Sequence, residues 1–216
     1  MAVVAAAMAL FDVIVVGAGA AGLMCALAAG TRGKRVLLLE HNDQVGAKIL
    51  ISGGGCCNFT NTGSGPQNFI SGNPNFSRSA LSRFRPEDFL RLVEKHKIAW
   101  HEKTLGQLFC DGSAKQIVAM LLAECAASGV QIELKSRITD VRKPDHFVIE
   151  TGTGGHDAPA LVLATGGLSI PKMGATGFAY DVAKQFGVRV TETRPGLVPL
   201  KIANDVFGAT EHPAGI

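Results

Sequence analysis

The chain has 216 residues, is 47% hydrophobic and only 18% charged, and carries a formal net charge of +3. That balance gives no polyanion footprint and no basic run for an anionic membrane, so neither nucleic acid nor membrane is expected as a partner. Five cysteines, odd in number and without CxxC spacing, exclude a disulfide framework or a zinc site and point to reduced thiols in the cytoplasm.

Residues 1–10 read as an amino-terminal extension. The only charge before residue 31 is Asp12. A signal peptide needs a basic start, and a membrane span would have to swallow Asp12 or the glycines after it. The apolar run Val13 to Val16 leads instead into Gly17-x-Gly19-x-x-Gly22, a small-residue helix pattern, and a second apolar run, Val36 to Leu39, ending at Glu40. This is the strand, turn, helix and strand of a dinucleotide fingerprint. Gly17 allows the tight turn, Gly19 lets the backbone approach a pyrophosphate, and Gly22 brings the helix close to the sheet. The phosphates then face Ala20 and Ala21 at the helix start, where free N–H groups and the helix dipole favour negative charge. Glu40 stands where an acid takes the ribose hydroxyls, and His41 beside it is a candidate for contact with adenosine.

Next comes a glycine-dense stretch, Gly46 to Asn61, that contains Lys48, Gly54, Gly55, Cys56, Cys57 and Asn58 and is not a plain strand. Residues 62–75 read as an irregular surface loop. Arg85-Pro86-Glu87-Asp88 starts a helix, with proline in the first turn and acids at the positive dipole end; Lys95-His96-Lys97 closes it. A second helix is expected over 114–128. Short strands follow over 131–134, 137–141 and 147–151. A turn at Gly152 to Gly155 separates them from a strand over 160–164, and a last helix covers about 177–186. The strand Leu161 to Ala164 breaks into Thr165-Gly166-Gly167, a second glycine turn at a strand's carboxyl end, which should meet the first around one ligand. The pattern is α/β, with a parallel sheet and a small β element inserted late.

Cys57 admits a redox reading, in which a nearby lysine lowers the thiol pKa, and a plainer one as a small packing residue. Trp100 and Tyr180 read as core or edge residues. No metal cluster and no general acid or base stands out, so the catalytic residues are unknown.

Together, Gly17-Ala-Gly-Ala-Ala-Gly22, Lys48-Ile-Leu-Ile-Ser-Gly-Gly-Gly55 with Cys57-Asn58-Phe-Thr-Asn61, Ala164-Thr-Gly-Gly167 and Leu197-Val-Pro-Leu200 resemble a bacterial family of NAD(P)/FAD-dependent oxidoreductase flavoproteins. That family includes a bile-acid dehydro-steroid reductase and aminoacetone oxidase-like proteins. The resemblance implies a glutathione-reductase-like Rossmann FAD-binding domain over 11–195. Residues 196–216 would then begin a second, β-rich domain, so the chain reads as the amino-terminal part of a longer protein with an incomplete fold and a poorly packed tail. It also implies FAD as cofactor, with NAD(P)H as electron donor. Gly17, Gly19, Ala20, Ala21 and Gly22 would hold the pyrophosphate, and Glu40 the ribose. Lys48, Gly54, Gly55, Cys57 and Asn58 would line the flavin end. The backbone at Ile138 would edge the adenine, while Ala164, Thr165 and Gly166 close over the nucleotide.

Three positions depart from the family pattern. Cys56 stands in place of an arginine, Gln107-Leu108-Phe109-Cys110 in place of Arg-x-Phe-Pro, and Phe178-Ala179 in place of Asp-Gly. The expected activity is hydride transfer between a nicotinamide or an organic substrate of unknown identity and the flavin. The alternatives are an NAD(P)-linked dehydrogenase, a non-catalytic nucleotide-binding fragment, and a tRNA-modifying flavoprotein, the last disfavoured by the mild charge.

Overall fold

The computed structural model describes residues 11–196. The chain runs β1 (Val13–Val16), α1 (Ala20–Gly30), β2 (Val36–Leu39), α2 (Ala47–Ile51), β3 (Asn58–Asn61), α3 (Arg78–Arg83), α4 (Pro86–Lys95), β4 (Trp100–Glu102) and β5 (Gln107–Cys110). It continues through α5 (Ala114–Ala127), β6 (Gln131–Glu133), β7 (Ile138–Arg142), β8 (Phe147–Thr151), β9 (Gly154–Ala158), β10 (Ala160–Leu163) and α6 (Phe178–Gln185).

The centre is a parallel sheet in the order β10-β1-β2-β6. All eight residues of β1 and β2 are buried, as expected of strands covered on both faces. Alternation divides them between two cores. Val13, Val15, Val36 and Leu38 face α1 and α5, where they meet Leu23, Leu27, Ile117 and Leu121. Ile14, Val16, Leu37 and Leu39 face the other way, against Val141, Ile149 and Ala158 of the antiparallel meander β7-β8-β9 and against Val182 of α6. Helices, sheet and meander thus form three layers. The architecture is of the Rossmann type, with the meander as the inserted β element.

Local chemistry fixes the helix ends. Ser113 Oγ accepts the Lys115 N–H at 3.2 Å and Gln116 Oε1 accepts the Ser113 N–H at 3.2 Å, a capping box that starts α5. Pro86 opens α4, and Asp88 Oδ2 accepts the Arg85 N–H at 2.6 Å.

Residues 62–75 are irregular apart from a single 3-10 turn, as expected. One sheet was not expected: β3, at the end of the glycine-dense stretch, pairs with β5, and β5 with β4, in a second antiparallel sheet. One expectation is corrected. The turn at Gly152 to Gly155 is tighter than expected, and Gly154 already begins β9, which pairs with β8 from Thr151↔Gly154 to Phe147↔Ala158. The glycines there hide a strand whose partners supply the hydrogen bonds that its own composition does not suggest. The expectations for residues 1–10, for Leu197-Val-Pro-Leu200 and for the tail beyond residue 196 lie outside the described residues. Among the described residues no helix is long and apolar enough to cross a membrane.

Candidate functional site

The carboxyl ends of β1, β2 and β10 open into one cleft of about 850 Å³. That is in the upper part of the range of roughly 300–1,000 Å³ for small-molecule sites, and the place is where open α/β sheets bind ligands.

The first glycine turn forms its floor. Gly17 has φ +102°, and a Cβ there would lie 2.6 Å from the Ala164 carbonyl oxygen. Only glycine lets the ends of β1 and β10 come this close. A Cβ on Gly22 would overlap the Gly17 carbonyl oxygen, so Gly22 draws α1 onto the turn and does not itself line the cleft. Gly19, Ala20 and Ala21 do line it. No side chain caps α1, so its first N–H groups are left to face whatever enters.

Glu40 is 6% exposed and ties two loops together. Its Oε2 accepts the Ala18 N–H at 2.8 Å, its Oε1 accepts the Asn42 N–H at 2.9 Å, and His41 Nδ1 stands 3.0 Å from Oε1. Oε2 keeps a second lone-pair direction for a ligand hydroxyl, whereas Oε1 already faces two nitrogens. The same carboxylate therefore fixes the first glycine turn and faces the cleft.

The glycine-dense segment closes a side wall with Lys48, Cys57 and Asn58. Lys48 Nζ donates to Ser169 Oγ at 3.0 Å and to the Gly167 carbonyl at 3.4 Å, and it has no carboxylate partner among the described residues. Its charge is free to meet an anion. Gly54 and Gly55 sit in the left-handed turn that brings Cys57 and Asn58 round (φ +68° and +91°) and are not on the cleft wall. Ile138, Ala164, Thr165 and Gly166 complete the expected set, all on the lining. Thirteen of the sixteen expected residues thus share one cavity; Gly22, Gly54 and Gly55 shape the backbone behind it.

Sequence reasoning missed the rest of the wall. Met24, Phe59 and Phe89 add apolar surface, Arg137 adds a charge, and Met173 to Thr176 and Tyr180 cross from the second glycine turn. A Cβ on Gly174 would overlap His41 Nε2, so this loop seats against the Glu40–His41 side. Tyr180, expected at the core or an edge, faces the cleft. Its signal was the short Gly177-Phe-Ala-Tyr180 run directly after the second glycine turn.

Of the two readings of Cys57, its surroundings favour the packing residue. Burial pushes its thiol pKa up, a hydrogen bond involving Ser52 offsets part of this, and the group stays a thiol at neutral pH. Burial also raises Cys110 to about 11, with Cys57, Cys56 and Asp111 adding to the shift, and Cys125 to about 11, with Glu124 adding. All five cysteines are free. Iodoacetamide at neutral pH should therefore modify half-buried Cys25 and Cys56 well before Cys57, Cys110 and Cys125, as mass spectrometry of timed digests would record. The raised values also fix a sign. The unfolded thiols ionise near 9 and the folded ones near 11, so denaturant midpoints should hold steady below pH 9 and fall as pH rises through 11. A midpoint that rises across that window would contradict the buried-thiol assignment.

The Rossmann-domain model of HI0933-like proteins matches residues 11–209. The chain is 49% identical over 207 residues to the ribosomal RNA dihydrouridine synthase of Escherichia coli K12, covering 95% of this chain and 52% of that protein. It is 27% identical over 198 residues to the 3-dehydro-bile acid delta(4,6)-reductase of Clostridium scindens, covering 89% and 48%. The chain spans about half the length of the curated relatives it matches. Among solved structures, glycine oxidase from Geobacillus kaustophilus superposes with a TM-score of 0.55 at 17% identity, covering 82% of this chain and 58% of that one, which is a likeness of fold. With the glycine turns, the sheet order and the family match in agreement, the chain belongs to the HI0933-like Rossmann family.

Proposed function

We propose that this chain is the FAD-holding part of a flavoprotein oxidoreductase that reduces uridine to dihydrouridine in ribosomal RNA. The observation that carries the flavin half of this reading is the glycine-dense segment folded beside the cleft, with Lys48, Cys57 and Asn58 on its wall. A dehydrogenase that used only NAD(P) would need the first glycine turn and not this second wall. The RNA half rests on the 49% identity to the E. coli enzyme, which extends over nearly the whole chain. It departs from the expectation, drawn from net charge, of no nucleic-acid partner.

The residues present fit a dinucleotide. Ala20 and Ala21 would offer backbone N–H groups and the positive end of the α1 dipole to the pyrophosphate. Lys48 would add a cation that no carboxylate among the described residues neutralises. Glu40 would accept a ribose hydroxyl while keeping the Ala18 N–H, with His41 and Ile138 flanking the adenosine. Cys57 and Asn58 would border the flavin, Cys57 as a neutral thiol that fills space without adding charge. Thr165 and Gly166 would close over the nucleotide. When bound, reduced FAD supplies a hydride, and dihydrouridine arises when that hydride and one proton add across the C5–C6 double bond of the base. The hydride would come originally from NAD(P)H. Reduced thiols fit a cytoplasmic setting for this chemistry.

Incubating the FAD-loaded chain with NADPH and ribosomal RNA, then digesting the RNA for mass spectrometry, tests the reading. A uridine that gains two hydrogens is the expected result. Flavin that binds and is reduced while every uridine keeps its mass would overturn the RNA half and leave the flavoprotein.

A further inference from the structure

We propose that residues 62–91 form the surface that holds a single strand of RNA beside the cleft, an inference that rests on the RNA-directed reading above. Three observations converge on this segment. The first is charge. Between Asp43 and Glu87 the sequence contains no acid, and it carries Lys48, Arg78, Arg83 and Arg85. The three arginines are exposed, and none has a carboxylate partner among the described residues. The chain's modest net charge of +3 therefore conceals a local excess.

The second is exposed aromatic surface. Of the four exposed phenylalanines among the described residues, three lie here: Phe69 at 51%, Phe76 at 82% and Phe84 at 44%, with Ile70 fully exposed beside them. Such rings cost free energy in water unless something stacks on them, and unpaired bases stack on phenylalanine with little regard to sequence. Phe76 lies two positions before Arg78, and Phe84 stands between Arg83 and Arg85, so rings for bases and cations for phosphates come from one short stretch. An apolar protein partner would have no use for unpaired guanidinium groups at this density, whereas phosphates accept them.

The third is position. A hollow of about 580 Å³ is lined by Thr62, Ser64, Ser82, Arg83, Arg85 and Arg91. Two acids line it as well; Asp88 is occupied by Arg91 and by the Arg85 N–H, and Glu87 is exposed. The two cavities draw on the same elements. β3 begins at Asn58 and Phe59 on the cleft and leads to Thr62 on the hollow, while α4 gives Phe89 to the cleft and Arg91 to the hollow, with Arg85 at its N-cap beside it. At about 3.3 Å per residue, the four residues of β3 separate the two by about 13 Å. A strand gripped at the hollow is thus within reach of the cleft with one base turned out of its stack, as chemistry on a base requires.

Fluorescence anisotropy of the full chain with a labelled, uridine-containing single-stranded RNA oligonucleotide tests this. The double variant Arg83→Ala/Arg85→Ala should weaken binding at least tenfold and flatten the salt dependence by about 1.4 in log–log slope, since each phosphate contact on a single strand contributes about 0.7. Phe76→Ala should weaken it roughly tenfold through lost stacking. FAD titration of all three proteins should be unchanged. The proposal is overturned if the wild-type chain does not bind the oligonucleotide or if the variants bind it equally well. It is also overturned if anionic lipid vesicles or a second copy of the chain, seen by sedimentation, occupy the patch in place of RNA. Uridine reduction that survives in variants with unchanged RNA affinity keeps the reaction and discards this surface. RNA held through the patch without reduction does the opposite.

Discussion

Gly22→Ala and Gly19→Ala should both weaken FAD binding, but only Gly22→Ala should also lower stability. In Gly22→Ala the new Cβ would overlap the Gly17 carbonyl oxygen and also press on Ala164 Cβ. These are backbone and small-residue neighbours that cannot swing aside, so α1 must move off the turn. Overpacking of this kind costs about 1–3 kcal/mol, and the rigid obstacle places this case at the upper end. If that falls on the bound conformation, FAD affinity drops by about a hundredfold, at 1.4 kcal/mol per factor of ten. Gly19 differs. Its φ is −82°, open to any residue, and a Cβ there meets no protein atom within 4 Å, yet the position lines the cleft. Gly19→Ala should therefore keep its denaturation midpoint while losing FAD, because the methyl group stands where the pyrophosphate would approach. Denaturant melts beside FAD titrations separate the two. A Gly19→Ala protein that binds FAD as the wild type does would remove the phosphate from this turn.

Glu40→Ala is the second large effect, and it should strike stability and binding together. The carboxylate is nearly buried, and its two oxygens accept the Ala18 and Asn42 N–H groups. Removing it leaves the buried Ala18 donor without a partner, a loss of about 1–3 kcal/mol. The phosphate turn would then lose its tether to β2, and FAD should bind at least tenfold more weakly. Glu40→Gln is the informative companion. It keeps one oxygen acceptor but must turn an NH₂ toward the other N–H, so it should lie between alanine and the wild type in melting and in FAD affinity. A Glu40→Ala protein that melts normally but fails to bind would assign the residue to the ligand alone.

The opening β-α-β unit was legible because its signals are local. A four-residue apolar run, three glycines at fixed spacing and a terminal acid each have a single backbone consequence, and β1, α1 and β2 fall where they point. Helix α4 was legible through Pro86 at its start, and α5 through Ile117, Val118, Leu121, Leu122 and Cys125 at helical spacing ahead of Gly129; its Ser113 cap went unread. The meander was seen only in part, since β9 takes its strand form from pairing with β8 and not from its Gly-Gly-His-Asp-Ala composition. The sheet β3-β5-β4 was missed for the same reason: Asn58 pairs with Phe109, fifty-one positions away, and such contacts leave no periodic trace in a short segment. In the site, the residues found were those inside motifs. Phe59, Phe89 and Tyr180 were missed because an aromatic ring on a cleft wall has the same sequence signature as one in a core. The expectation against nucleic acid rested on net charge alone, which averages away the acid-free stretch from 44 to 86.

The most direct test of the flavin site is the absorption spectrum of the purified full chain after it is mixed with FAD and desalted. The account predicts that flavin bands remain with the protein, and that they are lost in Gly19→Ala under the same treatment. A desalted wild-type chain with no flavin absorbance, and no uptake on titration, would contradict the assignment of this cleft to FAD.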